Sequence, residues 1–114
     1  MSQVATKQSI LYLSAMERGG VIYILSSLNN NTLYVGVTSN LVQRIYQHRN
    51  KVFPSSFTSR YNCIKLVYYA TFSRIEDAIA EEKKIKAGSR QKKELLINSL
   101  NPKWKDLWDE IKNW

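Results

Sequence analysis

The chain has 114 residues, enough for one compact domain with a single core and too few for two. Its apolar share of 44% is that of a globular protein, and no stretch approaches the roughly 18 consecutive apolar residues of a membrane span, so a soluble protein is predicted. A net charge of +8 suits an anionic partner, whereas one cysteine, Cys63, and one histidine, His48, exclude an internal disulfide and the usual zinc constellations and leave any metal to oxygen ligands.

Residues 1–18 show no clear periodicity and end at Gly19-Gly20. They read as an N-terminal extension, with Met16 available as an alternative start, and residues 19–114 read as one domain. The apolar patch Ile10–Met16 is short, follows a single lysine and lacks an A-x-A-type cleavage site, so no secretory signal is expected and the default address is intracellular, in the cytoplasm. Val21–Leu25 is a β-branched and aromatic run, Asn29-Asn30-Asn31 is turn chemistry, and Thr32–Val37 is a second such run, which together predict a β-hairpin. Both runs are apolar at nearly every position rather than alternating, so the sheet is expected to be covered on both faces.

Ser39 or Asn40 can cap a helix running to about Asn50, followed by a loop at Pro54-Ser55-Ser56. Ile64–Phe72 reads as a third strand. Ser73 is expected to cap a helix over Ile75–Ala87 that Gly88 closes, and Ser89 a helix from Arg90 to about Leu100; Asn101-Pro102 then interrupts before a short tryptophan-bearing helix. The order β-β-α-β-α-α-α predicts an α+β fold around a three-stranded antiparallel sheet flanked by helices.

Charge is unevenly distributed along this order. Between Lys83 and Lys105 eight cations face a single carboxylate, Glu94. Such a segment fits a phosphate backbone, through release of condensed counterions, or a solvated helix face. On the helix Ile75–Ala87, positions spaced by 100° place Ile75, Ala78, Ile79 and Ile85 around one direction, and Glu82 falls near the centre of that apolar stripe. A carboxylate there requires a cation, a metal or several donors; it reads either as a salt bridge to a buried arginine or as a metal ligand at the edge of the core. Arg44 and His48, four apart, share one face of the preceding helix; a guanidinium beside an imidazole suits a phosphoryl site, and equally an incidental surface pair. Tyr23 and Tyr34 lie on the two arms of the hairpin, where an even-numbered loop puts both rings on one sheet face, as core residues or as phenols near a metal or cation.

These residues, in this order, resemble the GIY-YIG nuclease superfamily, in particular small stand-alone members related to the N-terminal incision domain of the nucleotide-excision-repair excinuclease. Val21-Ile22-Tyr23 and Tyr34-Val35-Gly36 match the two name-giving motifs, followed by Asn40-Leu41, Arg44, His48, Glu82–Lys86, Ser89-Arg90 and Asn101–Trp104. The resemblance implies that Tyr23 or Tyr34 acts as a general base on water, that Arg44 stabilises charge on the attacked phosphate, and that His48 moves a proton or contacts phosphate. It further implies that Glu82 holds one Mg²⁺ or Mn²⁺ and that Asn101 corresponds to a late asparagine contacting the site. Lys83, Lys86, Arg90, Lys92 and Lys93 are the expected nucleic-acid contacts. Val21 stands where the family name has glycine and Val35 replaces isoleucine. Val37 stands where many repair relatives carry a lysine that lowers the tyrosine pKa, which implies another cation such as Lys86, reliance on His48, or slow turnover. The implied function is metal-dependent hydrolysis of DNA phosphodiesters, including branched or damaged structures. The alternatives are a nucleic-acid-binding module of the same fold that cleaves little and a partner-binding domain with Trp104, Trp108 and Trp114 as a contact patch.

Overall fold

A computed structural model describes residues 19–114; the extension read at residues 1–18 lies outside the described residues. The elements are β1 (Gly20–Ser27), β2 (Leu33–Thr38), α1 (Leu41–Arg49), α2 (Phe57–Arg60), β3 (Cys63–Phe72), α3 (Ile75–Ala87), α4 (Arg90–Leu100) and α5 (Trp108–Ile111). The three strands form one antiparallel sheet, as the sequence predicts, and the structure places them in the order β2-β1-β3.

All eight residues of the central strand β1 are buried, because both faces are covered. Val21, Tyr23 and Leu25 join Leu41 and Ile45 of α1, Leu66 of β3, and Leu107 and Ile111 near the C-terminus on one face; Ile22 and Ile24 join Val35, Val67, Ala78 and Ile97 on the other. Trp108 and Trp114 pack against the first cluster and Trp104 against the second. The tryptophans read as a contact patch are thus partly buried core on opposite faces of the sheet, since each ring has more apolar area than the surface leaves bare.

Two local expectations are corrected. A short helix, α2, follows the Pro54–Ser56 loop; Ser56 Oγ accepts the Ser59 amide at 3.3 Å as its N-cap, but four residues are too few to leave a helical period in the sequence. Ser73 does not cap α3: it sits one residue outside the N-cap position, which Arg74 fills without a side-chain bond, and Glu76 and Asp77 place negative charge at that helix end instead. Asn40 and Ser89 do cap, accepting the amides of Gln43 at 3.1 Å and Lys92 at 3.2 Å.

The outer edge of β3 is closed by the segment after α4. The Leu66 amide donates to Asp106 Oδ1 at 3.2 Å, and the Leu107 amide donates to the Leu66 carbonyl at 2.8 Å. Between Ile24 and Leu25 the pairing of β1 with β3 shifts by one residue, leaving Val67 as an extra residue. Asn101 Nδ2 donates to the Val67 carbonyl at 3.1 Å and to the Lys105 carbonyl at 2.7 Å, while its Oδ1 accepts the Lys105 amide at 3.0 Å. Asn101, expected at a nucleic-acid contact, is therefore committed to holding the bulge of β3 and the turn after α4; it is buried.

Asn101→Ala leaves the Val67 and Lys105 carbonyls and the Lys105 amide without this partner, and is expected to cost about 2–3 kcal/mol. Urea denaturation checks this; a variant as stable as the wild type would show that water replaces the amide at no cost.

Candidate active site

Residues Ser27–Thr32 separate the last hairpin pair, Ser26 and Leu33, so the loop holds an even number of residues and Tyr34 lies opposite Leu25, two residues from Tyr23. Both rings consequently project from one face, 6.3 Å apart. Gly36 pairs directly with Tyr23. A Cβ at position 36 would overlap Tyr23 Cζ and its hydroxyl oxygen, so glycine is required for the Tyr23 ring to lie across β2.

The His48 ring completes a three-ring cluster, with centroids 5.6 Å from Tyr23 and 5.8 Å from Tyr34. The Tyr23 hydroxyl is 2.9 Å from His48 Nε2, and Nδ1 is 2.8 Å from Thr58 Oγ1. The Thr58 hydroxyl is in turn 3.3 Å from Ser56 Oγ. Tyr23, His48 and Thr58 form one hydrogen-bonded chain from the sheet through α1 to α2. Burial, and then the charge of Arg44, lower the His48 pKa from 6.5 to about 4. The ring is neutral at neutral pH, with one nitrogen a donor and the other an acceptor. Tyr23 is buried, and burial together with the nearby Tyr34 holds its pKa well above the ordinary phenol range, against the lowering pull of Arg44. Tyr23 is therefore a protonated phenol in the resting site.

Arg44, half-buried on α1, lines with Tyr34, His48, Phe53, Ser56, Phe57 and Thr58 a cleft of about 210 Å³. Its Nη1 donates to Gln47 Oε1 at 3.3 Å. Glu82 on α3 is 7% exposed, and its Oε2 accepts from Lys86 Nζ at 2.9 Å. The partner of this buried carboxylate is a half-exposed lysine one turn along the same helix, not the buried arginine considered from sequence, and Ile79 of the same stripe is exposed at its rim. The Glu82 charge reaches Tyr23, and Lys86 Nζ lies 5.8 Å from the centroid of the Tyr34 ring. Val37 packs against the core on the other face with Ile85, so Lys86 is the cation beside Tyr34. The Glu82 hydrogen bond raises the Lys86 pKa, keeping it charged.

Residues 19–95 match the GIY-YIG catalytic domain. The chain belongs to the GIY-YIG family. It is 34% identical over 90 residues to a UPF0213 protein of Clostridium perfringens, covering 79% of this chain and 95% of that one. A UPF0213 protein of Staphylococcus haemolyticus is 36% identical over 76 residues, covering 67% and 90%. The solution structure of a UPF0213 protein from Bacillus halodurans superposes with a TM-score of 0.50 at 26% identity, over 77% of this chain and 92% of that one. Tyr23 and Tyr34, which resemble the two motif tyrosines of the family, are drawn together with His48, Arg44 and the Glu82–Lys86 pair.

The basic segment is less uniform than its sequence. Arg90 Nη1 and Nη2 donate to the carbonyls of Asn31 and Asn30 at 2.5 Å each, and its Nε to Glu94 at 2.8 Å, so this arginine ties the asparagine-rich turn to α4. Lys93 Nζ donates to the Gly88 carbonyl at 2.7 Å, at the C-terminal end of α3. Lys83 and Lys92 point to solvent. Thr58 is the site residue that sequence reasoning missed; a threonine in a serine-rich loop carries no signal until α2 turns it toward His48.

Two outcomes test this geometry. Gly36→Ala displaces the Tyr23 ring and is expected to lower both stability, by about 1–3 kcal/mol, and any activity of the site; an unchanged melting temperature would contradict the packing. For His48, the folded pKa lies below the unfolded value, so the unfolded chain binds the proton more readily. The contribution is complete above pH 6.5 and declines as pH falls toward 4. Guanidinium denaturation between pH 7 and 4.5 should show a steeper loss for wild type than for His48→Gln.

Proposed function

We propose that residues 19–114 act as a metal-dependent endonuclease domain that hydrolyses DNA phosphodiester bonds. The observation that supports this reading is the joining of a phenol, a neutral imidazole and a threonine in one hydrogen-bonded chain beside Arg44 and a buried carboxylate, on a chain of net charge +8. Nucleases of this family generally use a divalent metal. Lys86 occupies Oε2 of Glu82 and leaves Oε1 for a hard cation, which characteristically takes one or two carboxylates and completes its shell with waters and phosphate oxygens. That coordination is compatible with the lack, among the described residues, of any three-membered His, Cys, Asp or Glu cluster. Glu82 would hold the ion, which supplies positive charge at the scissile phosphate when bound.

The chain's own residues supply the rest. Arg44 binds non-bridging phosphate oxygens with paired donors. With Nδ1–H of His48 donating to Thr58, Nε2 accepts the Tyr23 hydroxyl proton as the Tyr23 oxygen takes one from the attacking water. Negative charge developing on the phosphate raises the basicity of the imidazole at that moment. Lys86 fills the place of the lysine that Val37 lacks.

One observation favours a second reading. The Glu82–Lys86 ion pair neutralises the carboxylate without a metal, as in a nucleic-acid-binding module that cleaves little. Labelled linear, nicked, flapped and four-way DNA incubated with Mg²⁺ or Mn²⁺ separates the two. Wild type should cleave, while Glu82→Gln and Arg44→Ala each lose about 10²–10³ in rate. No metal-dependent cleavage above these variants, with binding that weakens steeply with salt, would establish the binding module instead.

A further inference from the structure

Four of the large apolar side chains left exposed fall within one ten-residue stretch, Val52, Phe53, Phe57 and Tyr61, and two of them, Phe53 and Phe57, line the cleft. Phe53 is 53% exposed, Phe57 45% and Tyr61 48%. Phe57 and Tyr61, one helical turn apart, present their rings on one side of α2. The Phe57 ring stacks on Tyr34 with centroids 6.1 Å apart and meets Tyr61 in a tilted contact at 4.6 Å, and the Arg60 guanidinium lies 5.9 Å from the Tyr61 centroid. An aromatic row therefore leads from Tyr34 to a cation, with Phe53 and Phe57 as walls of the cleft that holds Arg44.

We propose that this row is a stacking platform for unpaired bases, so that the substrate is DNA with single-stranded nucleotides beside the scissile phosphate. The inference rests on the nuclease reading of the same site. Its physical basis is that bases within a duplex are already stacked and turned inward, and cannot cover ring faces lining a phosphate cleft. Unpaired bases offer their faces freely, and aromatic rings interleaved with cations are the chemistry that holds them. The cations Arg44 and Arg60 at the two ends of the row complement the connecting phosphates. A protein partner would meet apolar rings set between positive charges on a strongly basic chain, a poorer match than a polyanion that carries its own aromatic faces.

The test measures binding in EDTA to a thymidine oligonucleotide, to a blunt duplex and to a flapped duplex, each with 2-aminopurine in place of one base, for wild type and for Phe57→Leu/Tyr61→Leu. Leucine keeps apolar bulk, and a circular dichroism melt checks folding. The expected result is quenching of the unpaired 2-aminopurine by wild type, and a loss of about tenfold in affinity for the oligonucleotide and flap on substitution, with duplex affinity unchanged within about twofold. Equal weakening of duplex and single strand, no quenching, or a self-association of wild type that the substitution abolishes would overturn the proposal. Mg²⁺-dependent cleavage showing no preference for unpaired DNA would overturn it while leaving the nuclease reading intact. Quenching and the affinity loss without any cleavage would refute the nuclease reading and keep the base platform.

Discussion

The contact between Tyr23 and Gly36 governs the rest of the site. Because residue 36 has no side chain, the phenol ring of the central strand lies across β2 and delivers its hydroxyl to His48 at 2.9 Å. Any larger residue at position 36 would drive the ring away, and the hydrogen-bonded chain to Thr58 would lose its first member. The close approach in turn requires the strand register to be unambiguous. Burial of β1 on both faces enforces this, since a slip of one residue would exchange the two core clusters.

Charges around this contact act in opposition. Burial keeps Tyr23 protonated and His48 neutral, so the resting site holds a proton chain without a charged member, while Arg44 and the Glu82–Lys86 pair carry fixed charge at its border. Such an arrangement changes little until an anion arrives. In the proposed function, a phosphate oxygen at Arg44 would both neutralise the guanidinium and favour a protonated imidazole, coupling substrate binding to proton movement.

Part of the positive charge that makes the chain basic is structural. Arg90 clamps the asparagine turn, Lys93 sits on the C-terminal carbonyls of α3, and Arg49 is paired with Asp106, which also receives the Leu66 amide. These three are committed to the fold, whereas Lys83, Lys84, Lys92, Lys103 and Lys105 are exposed.

Elements with a strong local pattern were legible in the sequence. The hairpin, the third strand and the helices capped by Asn40 and Ser89 follow from β-branched runs, turn residues and capping side chains, all interactions within a few residues of one another. Glu82 stood out for the same reason, as a carboxylate where helical spacing calls for an apolar residue. What only the tertiary structure decided depends on contacts between distant segments. Lys86 rather than an arginine meets Glu82, Asn101 holds a bulge 34 residues away instead of a ligand, and Thr58 becomes part of the site through a four-residue helix with no period of its own. Residue type and spacing determined which side chains were able to do chemistry. Packing across the sheet decided which of them meet, because a side chain's partner is set by where the chain returns, a quantity no local pattern contains.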